Sequence, residues 1–190
     1  MSIVERAREG KASLTDPADA VRAMQEGPTA AQVSAAAKKL EPRIADLLTR
    51  YLEPRAALLP VLHLYQHEFG WIPLRVQREI AFRLSIAPAD VSRVVSFYTL
   101  FHSKPCGRHV VMVCGTLSCE LAGCNKVLRA LKDVLGVDPH ETTPDGLFTV
   151  QRVECLGWCD KAPVVQVNDG DFMEHVTPEK IKAEVKRIRG

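Results

Sequence analysis

The sequence predicts an α+β protein in which a helical bundle precedes a smaller layer of mixed strands and helices, and two observations carry that prediction. Apolar residues recur with a helical period as far as about Leu100, whereas beyond Lys104-Pro105-Cys106-Gly107 they form short runs rich in β-branched side chains. Those later runs read strand, helix, strand, strand, strand, helix in order. A chain of 190 residues suits a principal domain with a helical annex. With 46% hydrophobic residues, it can bury roughly 70% of its unfolded surface and needs no covalent staples. The cysteines are therefore available for chemistry.

Residues 1 to about 40 are rich in Ala, Glu, Lys and Arg and are interrupted by Gly10, Pro17, Gly27 and Pro28, the pattern of a partly ordered arm. Thr29 can cap a short helix through Lys39, whose face Ala30, Val33 and Ala37 offers little apolar area. A new helix is expected to start at Pro42, with Ile44, Leu47, Leu48 and Tyr51 on one stripe. Another follows Pro54, carries Leu58, Leu62, Tyr65 and Phe69, and ends at Gly70. Leu74 to Leu84 sets Val76, Ile80 and Leu84 inward; a further helix begins at Pro88 and carries Val91, Val94, Val95 and Tyr98.

Then the period changes. His109 to Val113 reads as a buried strand ending at Cys114, and a single helix is expected from about Cys119 to Leu135, closed by Gly136. Strands follow at Leu147 to Glu154, Pro163 to Val167 and Phe172 to Val176, with a turn at Asn168-Asp169-Gly170 between the last two. A final helix is capped by Thr177 with Pro178 at its first position. This β-α-β-β-β-α order is that of a thioredoxin-like layer.

Composition excludes several function classes. The 25 basic residues nearly balance 23 acidic ones, so no global field favours nucleic acid or an anionic membrane. No run of eighteen apolar residues marks a membrane span. The first residues lack a secretory core and carry acids unlike a transit peptide, so a cytoplasmic setting is expected, where thiols stay reduced. The segment Pro88 to Leu100 has too few basic side chains for a DNA-recognition helix. His63 and His67 lack the intervening Glu of a zinc-protease motif.

Four of the six cysteines form two pairs, Cys114 with Cys119 (C-x4-C) and Cys155 with Cys159 (C-x3-C). Each pair falls in a loop leaving a strand, and both loops are expected at the same sheet edge, so four thiolates can converge. A [2Fe-2S] cluster takes four thiolates and carries a net charge of about −2 when oxidised. Gly115 and Gly157 should let backbone N–H groups turn toward sulfur, and the helix start near Cys119 should add a positive dipole end. Spacing leaves other states open, a zinc ion on four thiolates, or thiols that are unliganded or disulfide-bonded. Zinc sites usually include a tight C-x2-C knuckle, absent here, which favours iron–sulfur. The same absence disfavours a dithiol oxidoreductase. Cys106 and Cys124 read as half-buried packing thiols.

Several segments carry a family resemblance: Leu58 to Leu64, Phe69-Gly70-Trp71-Ile72, Ser96 to Phe101, Lys104-Pro105, Val113-Cys114, Glu154-Cys155-Leu156-Gly157 and Ala162-Pro163-Val164-Val165. Together they resemble the small, E-type [2Fe-2S] subunit of bacterial NADH:quinone oxidoreductase, respiratory complex I. Related subunits occur in NAD-linked hydrogenases and formate dehydrogenases, and a zinc-stabilised interaction module is the rival from another class. The resemblance implies an N-terminal helical bundle followed by a thioredoxin-like [2Fe-2S] ferredoxin domain. The expected division is an extension over 1–40, the bundle over 41–104 and the ferredoxin domain over 105–190. It implies ligation by Cys114, Cys119, Cys155 and Cys159 and no catalytic residue of the chain's own. It also implies a partner subunit that binds FMN and oxidises NADH, further iron–sulfur subunits, and a peripheral place at the inner face of the cell membrane without insertion. Trp158 stands where relatives carry a small residue, placed either to shield a cluster from water or to pack on a partner.

Overall fold

A computed structural model describes residues 27–168 and 170–190 of the chain. The reading of residues 1–26 as an arm, and Asp169 in the predicted turn, lie outside the described residues. The chain divides into two compact units between Pro105 and Cys106.

Four α-helices build the first unit: α1 (Ala30–Leu48), α2 (Leu58–Phe69) after a 3-10 turn at Pro54–Ala57, α3 (Leu74–Leu84) and α4 (Pro88–Phe97). Thr29 starts α1 as predicted, through a capping box in which its hydroxyl accepts from the Gln32 N–H and the Gln32 side chain accepts from the Thr29 N–H. The expected break at Pro42 does not occur. One helix runs through it, although proline lacks the N–H for this ladder and costs about 3 kcal/mol inside a helix. Val33, Leu40 and Ile44 are all buried on the same stripe, and each contributes about 1.5–3 kcal/mol, which outweighs that cost. The face judged too small by sequence is thus core, with Ala36 and Ala37 allowing close approach.

The remaining bundle follows its local signals. Gly70 ends α2 in the left-handed conformation, φ 82°, its N–H donating to the Gln66 carbonyl. Val61, Leu62, Tyr65, Ile72, Ile80 and Leu84 form the centre of the core. Gln77 is the buried polar group there, donating to the Ile72 carbonyl at 2.9 Å and accepting from the Ser92 hydroxyl at 2.7 Å, so burial leaves its amide satisfied.

The second unit holds β1 (His109–Cys114), α5 (Leu117–Leu121), α6 (Cys124–Leu135), β2 (Phe148–Val153), β3 (Val165–Val167), β4 (Phe172–Met173) and α7 (Pro178–Arg189). The sheet order is β2-β1-β3-β4, with β1 parallel to β2 and antiparallel to β3, and β3 antiparallel to β4. Val111, Val113, Val150 and Val165 pack with Val127 and Leu131 of α6 and Ile181 of α7. Val110, Met112 and Val153 pack separately with Cys106 and Leu156. Gly107 lies so close to β2 that a Cβ would stand 2.6 Å from the Phe148 carbonyl carbon, and its N–H donates to the Thr149 hydroxyl.

One predicted helix is two. α5 and α6 are separated at Ala122 and Gly123, where Gly123 takes φ 101°, a conformation only glycine adopts cheaply. The break lets α5 stay beside the end of β1 while α6 turns onto the sheet. Gly136 closes α6 as expected, and Thr177 caps α7 by accepting from the Lys180 N–H.

Candidate metal centre

Parallel pairing of β1 with β2 fixes the geometry of the cysteines. In the register, Cys114 stands opposite Val153, so both strands end at one edge and release their loops side by side. Cys114 is the last residue of β1, and Cys119 sits inside α5; both are buried. Cys155 lies two residues beyond β2, and Cys159 opens the 3-10 turn Cys159–Lys161; both are exposed. The site is therefore half sunk into the core and half open.

The thiols meet in pairs. Cys155 and Cys159 bring their sulfurs to 3.6 Å, and the Cys114 and Cys119 thiols are hydrogen-bonded to each other. The pairs also adjoin, because Cys159 feels the charge of Cys114 and receives a hydrogen bond from the Ser118 hydroxyl. Two thiolates on one tetrahedral metal at about 2.3 Å stand about 3.8 Å apart. The Cys155–Cys159 spacing fits that requirement. Among the described residues, no group of three or more His, Cys, Asp or Glu side chains closes on a single metal-ion position. Two adjoining pairs suit a two-iron cluster, which takes four thiolates in all.

Backbone donors face these sulfurs. Burial pushes the Cys114 thiol up, but the N–H groups of Thr116 and Leu156 and the neighbouring Cys119 and Thr116 side chains outweigh it, so its pKa lies below the usual thiol value. Burial dominates at Cys119 and raises it, against an opposing N–H from Val164. Cys159 is raised by hydrogen bonding to, and the charge of, Cys155. Gly157, at φ 81°, turns its N–H onto the Cys155 sulfur at 3.4 Å, as the sequence led one to expect. The Thr116 hydroxyl is buried and lies against the Cys114 thiol.

Two expectations change. Gly115 does not present its N–H to sulfur: that N–H donates to the Val153 carbonyl at 2.9 Å, and the missing Cβ instead makes room for the Arg152 side chain. The helix near Cys119 has five residues, starting at Leu117, and so short a helix offers little dipole; the individual N–H groups take that role.

A family model for the thioredoxin-like [2Fe-2S] ferredoxin matches residues 44–189. The chain belongs to the thioredoxin-like [2Fe-2S] ferredoxin family. It is 46% identical over 136 residues to the second NADH-quinone oxidoreductase subunit of Thermus thermophilus, a match covering 71% of this chain and 75% of that one. It is 40% identical over 151 residues to the E-type NADH-quinone oxidoreductase subunit of Mycobacterium tuberculosis, covering 80% of this chain but only 60% of the relative. Among solved structures, an NAD+-reducing [NiFe]-hydrogenase in the air-oxidised state superposes with TM-score 0.60 at 22% identity, over 70% of this chain and 23% of that one, a likeness of fold. These relatives are oxidoreductase subunits, and the α+β architecture expected from sequence is that of the family.

The second unit holds two more cysteines, Cys106 and Cys124. Cys106 packs against Val110, Met112 and Val153, and burial pushes its thiol up to about 11. Cys124 is buried at the start of α6, raised by burial and by the Glu120 carboxylate beside it. Trp158 is 39% exposed and packs edge-on against Phe172, ring centres 4.9 Å apart. Sequence reasoning passed over Thr116, Ser118, Glu120 and Arg152. Thr116 and Ser118 lie inside the C-x4-C loop, where a hydroxyl beside a thiol was the available signal; Arg152 and Glu120 come from separate elements. Among the described residues, no helix is long and apolar enough to cross a membrane.

Proposed function

We propose that this chain is the [2Fe-2S] electron-transfer subunit of an NADH-quinone oxidoreductase, with Cys114, Cys119, Cys155 and Cys159 as the cluster ligands. The observation that carries the reading is the meeting of two thiol pairs at the shared edge of β1 and β2, one of them with metal-chelating sulfur spacing. The names of the relatives support the assignment to such a complex. A bound [2Fe-2S] cluster would supply a centre that accepts and releases single electrons.

The chain's own contribution is to hold and tune that centre. Cys114 and Cys119 anchor it on the buried side, while Cys155 and Cys159 hold it where the surface opens. The N–H groups of Thr116, Leu156, Val164 and Gly157 aim positive dipole ends at sulfur and favour the thiolate form. Leu117, 71% exposed, and Leu121, 81% exposed, lie on the same short helix as Cys119, and Trp158 lies beside Cys159. Such an apolar rim suits a second subunit closing over the site. In this reading that subunit carries FMN and oxidises NADH, further iron–sulfur subunits continue the chain of carriers, and the assembly sits peripherally at the inner face of the cell membrane. The helices from Ala30 to Phe97 then act as the bundle, and residues 106–190 as the ferredoxin domain.

Counting metals on the anaerobically purified chain tests the reading. About two irons and two acid-labile sulfides per chain, with a reddish-brown colour, are expected. One zinc per colourless chain would instead make the site a structural one.

A further inference from the structure

The loop between Cys114 and Cys119 is tied down by a side chain that reaches it from another strand. Arg152, on β2 opposite Val113, sends Nη2 to the Gly115 carbonyl at 3.0 Å and to Glu120 Oε2 at 2.5 Å. Gly115 immediately follows Cys114, and Glu120 immediately follows Cys119, so one guanidinium grips both ends of the loop. The passage is built for it: a Cβ on Gly115 would stand 2.8 Å from Arg152 Cγ and closer still to its Nε. Glu120 is held in turn by the Asn125 amide at 2.5 Å and by the Cys124 thiol at 3.8 Å.

A pair this exposed contributes little to folding stability, which leaves its placement to be explained. Nη2 alone donates to both acceptors, and the passage over Gly115 fixes the direction from which the planar guanidinium reaches them. Its charge also stands beside a site that would hold a strongly negative group and become more negative on reduction. A nearby cation favours the reduced form, and an uncompensated carboxylate opposes it.

Resting on the cysteine assignment above, we propose that the Arg152–Glu120 pair is the positioning device of the Cys114–Cys119 loop and sets the reduction potential of the centre. Arg152→Gln leaves the Glu120 carboxylate unbalanced and lowers the potential. Glu120→Gln leaves the guanidinium unbalanced and raises it. Arg152→Lys keeps the charge on a different head group, and its potential stays nearer the parent than that of Arg152→Gln.

The test is a redox titration of the full chain, purified anaerobically, with iron and sulfide counted on each sample. At fixed ambient potential, the reduced-to-oxidised ratio is expected to fall about tenfold in Arg152→Gln, a shift of about 59 mV, and to rise in Glu120→Gln. A ratio within about twofold of the parent in both variants, with the cluster retained, overturns the proposal. Where Arg152→Gln fails to load iron, Glu120→Gln alone decides: an upward shift supports the proposal, and an unchanged potential overturns it. A parent chain without iron defeats the cysteine assignment itself, and this inference with it.

Discussion

Alanine in place of Cys155 is expected to strip the chain of its cluster, with bound iron falling from about two per chain to near zero, because each iron of a [2Fe-2S] centre depends on its thiolates. Cys155 is the cleanest position for this substitution. It is exposed, so its loss removes a sulfur without opening a cavity. The same loss is expected from Cys159→Ala, and also from Cys114→Ala and Cys119→Ala, although these two are buried and their removal also costs some core packing. Cys106→Ala and Cys124→Ala are the controls and should retain iron. Visible absorption and an iron assay on each variant check the set, and equal iron loss in Cys124→Ala would contradict the ligand assignment.

Phe148→Ala is expected to cost about 3–5 kcal/mol of stability in the ferredoxin unit. Its ring is fully buried at the start of β2, and it meets the His109 ring with centres 5.7 Å apart and the Arg189 guanidinium at 5.7 Å from its own centre. The residue thus joins β1, β2 and α7 at the edge of the sheet. A loss of that size is a large part of the roughly 5–15 kcal/mol that typically holds a domain together. Urea denaturation followed by the visible absorption of the loaded protein measures it, since that signal reports the unit bearing the site. The transition midpoint should fall well below that of the parent. Leu121→Ala, at a residue 81% exposed, should move it by no more than about 0.5 kcal/mol.

Legibility in the sequence followed the range of the interaction. Gly70, Gly136 and Thr177 terminate or start their helices through bonds within a few residues, and they were readable one by one. The valine-rich run at Val110 to Val113 was readable as a strand from its composition. Pro42 misled because the cost of proline is local while its compensation, the burial of Val33, Leu40 and Ile44, is tertiary. Gly123 was visible as a glycine but not as a break, since the apolar stripe continues across it into α6.

The site divides along the same line. The four cysteines stood out by spacing, and the shared edge of β1 and β2 followed from the strand order. What the spacing did not carry is the role of Gly115, whose missing side chain serves Arg152 rather than a sulfur. Arg152 and Glu120 pair across 32 positions of sequence, and a pattern read along the chain has no term for such a contact. Family resemblance supplied the ligand set but left both residues unremarked, because neither belongs to a segment that carries it.

Electron paramagnetic resonance on the anaerobically purified full chain, before and after dithionite reduction, tests the central claim most directly. Silence is expected in the oxidised sample and, on reduction, a signal that integrates to about one spin per two irons. A chain that stays silent after reduction while carrying one zinc would contradict it and leave the four cysteines as a structural metal site.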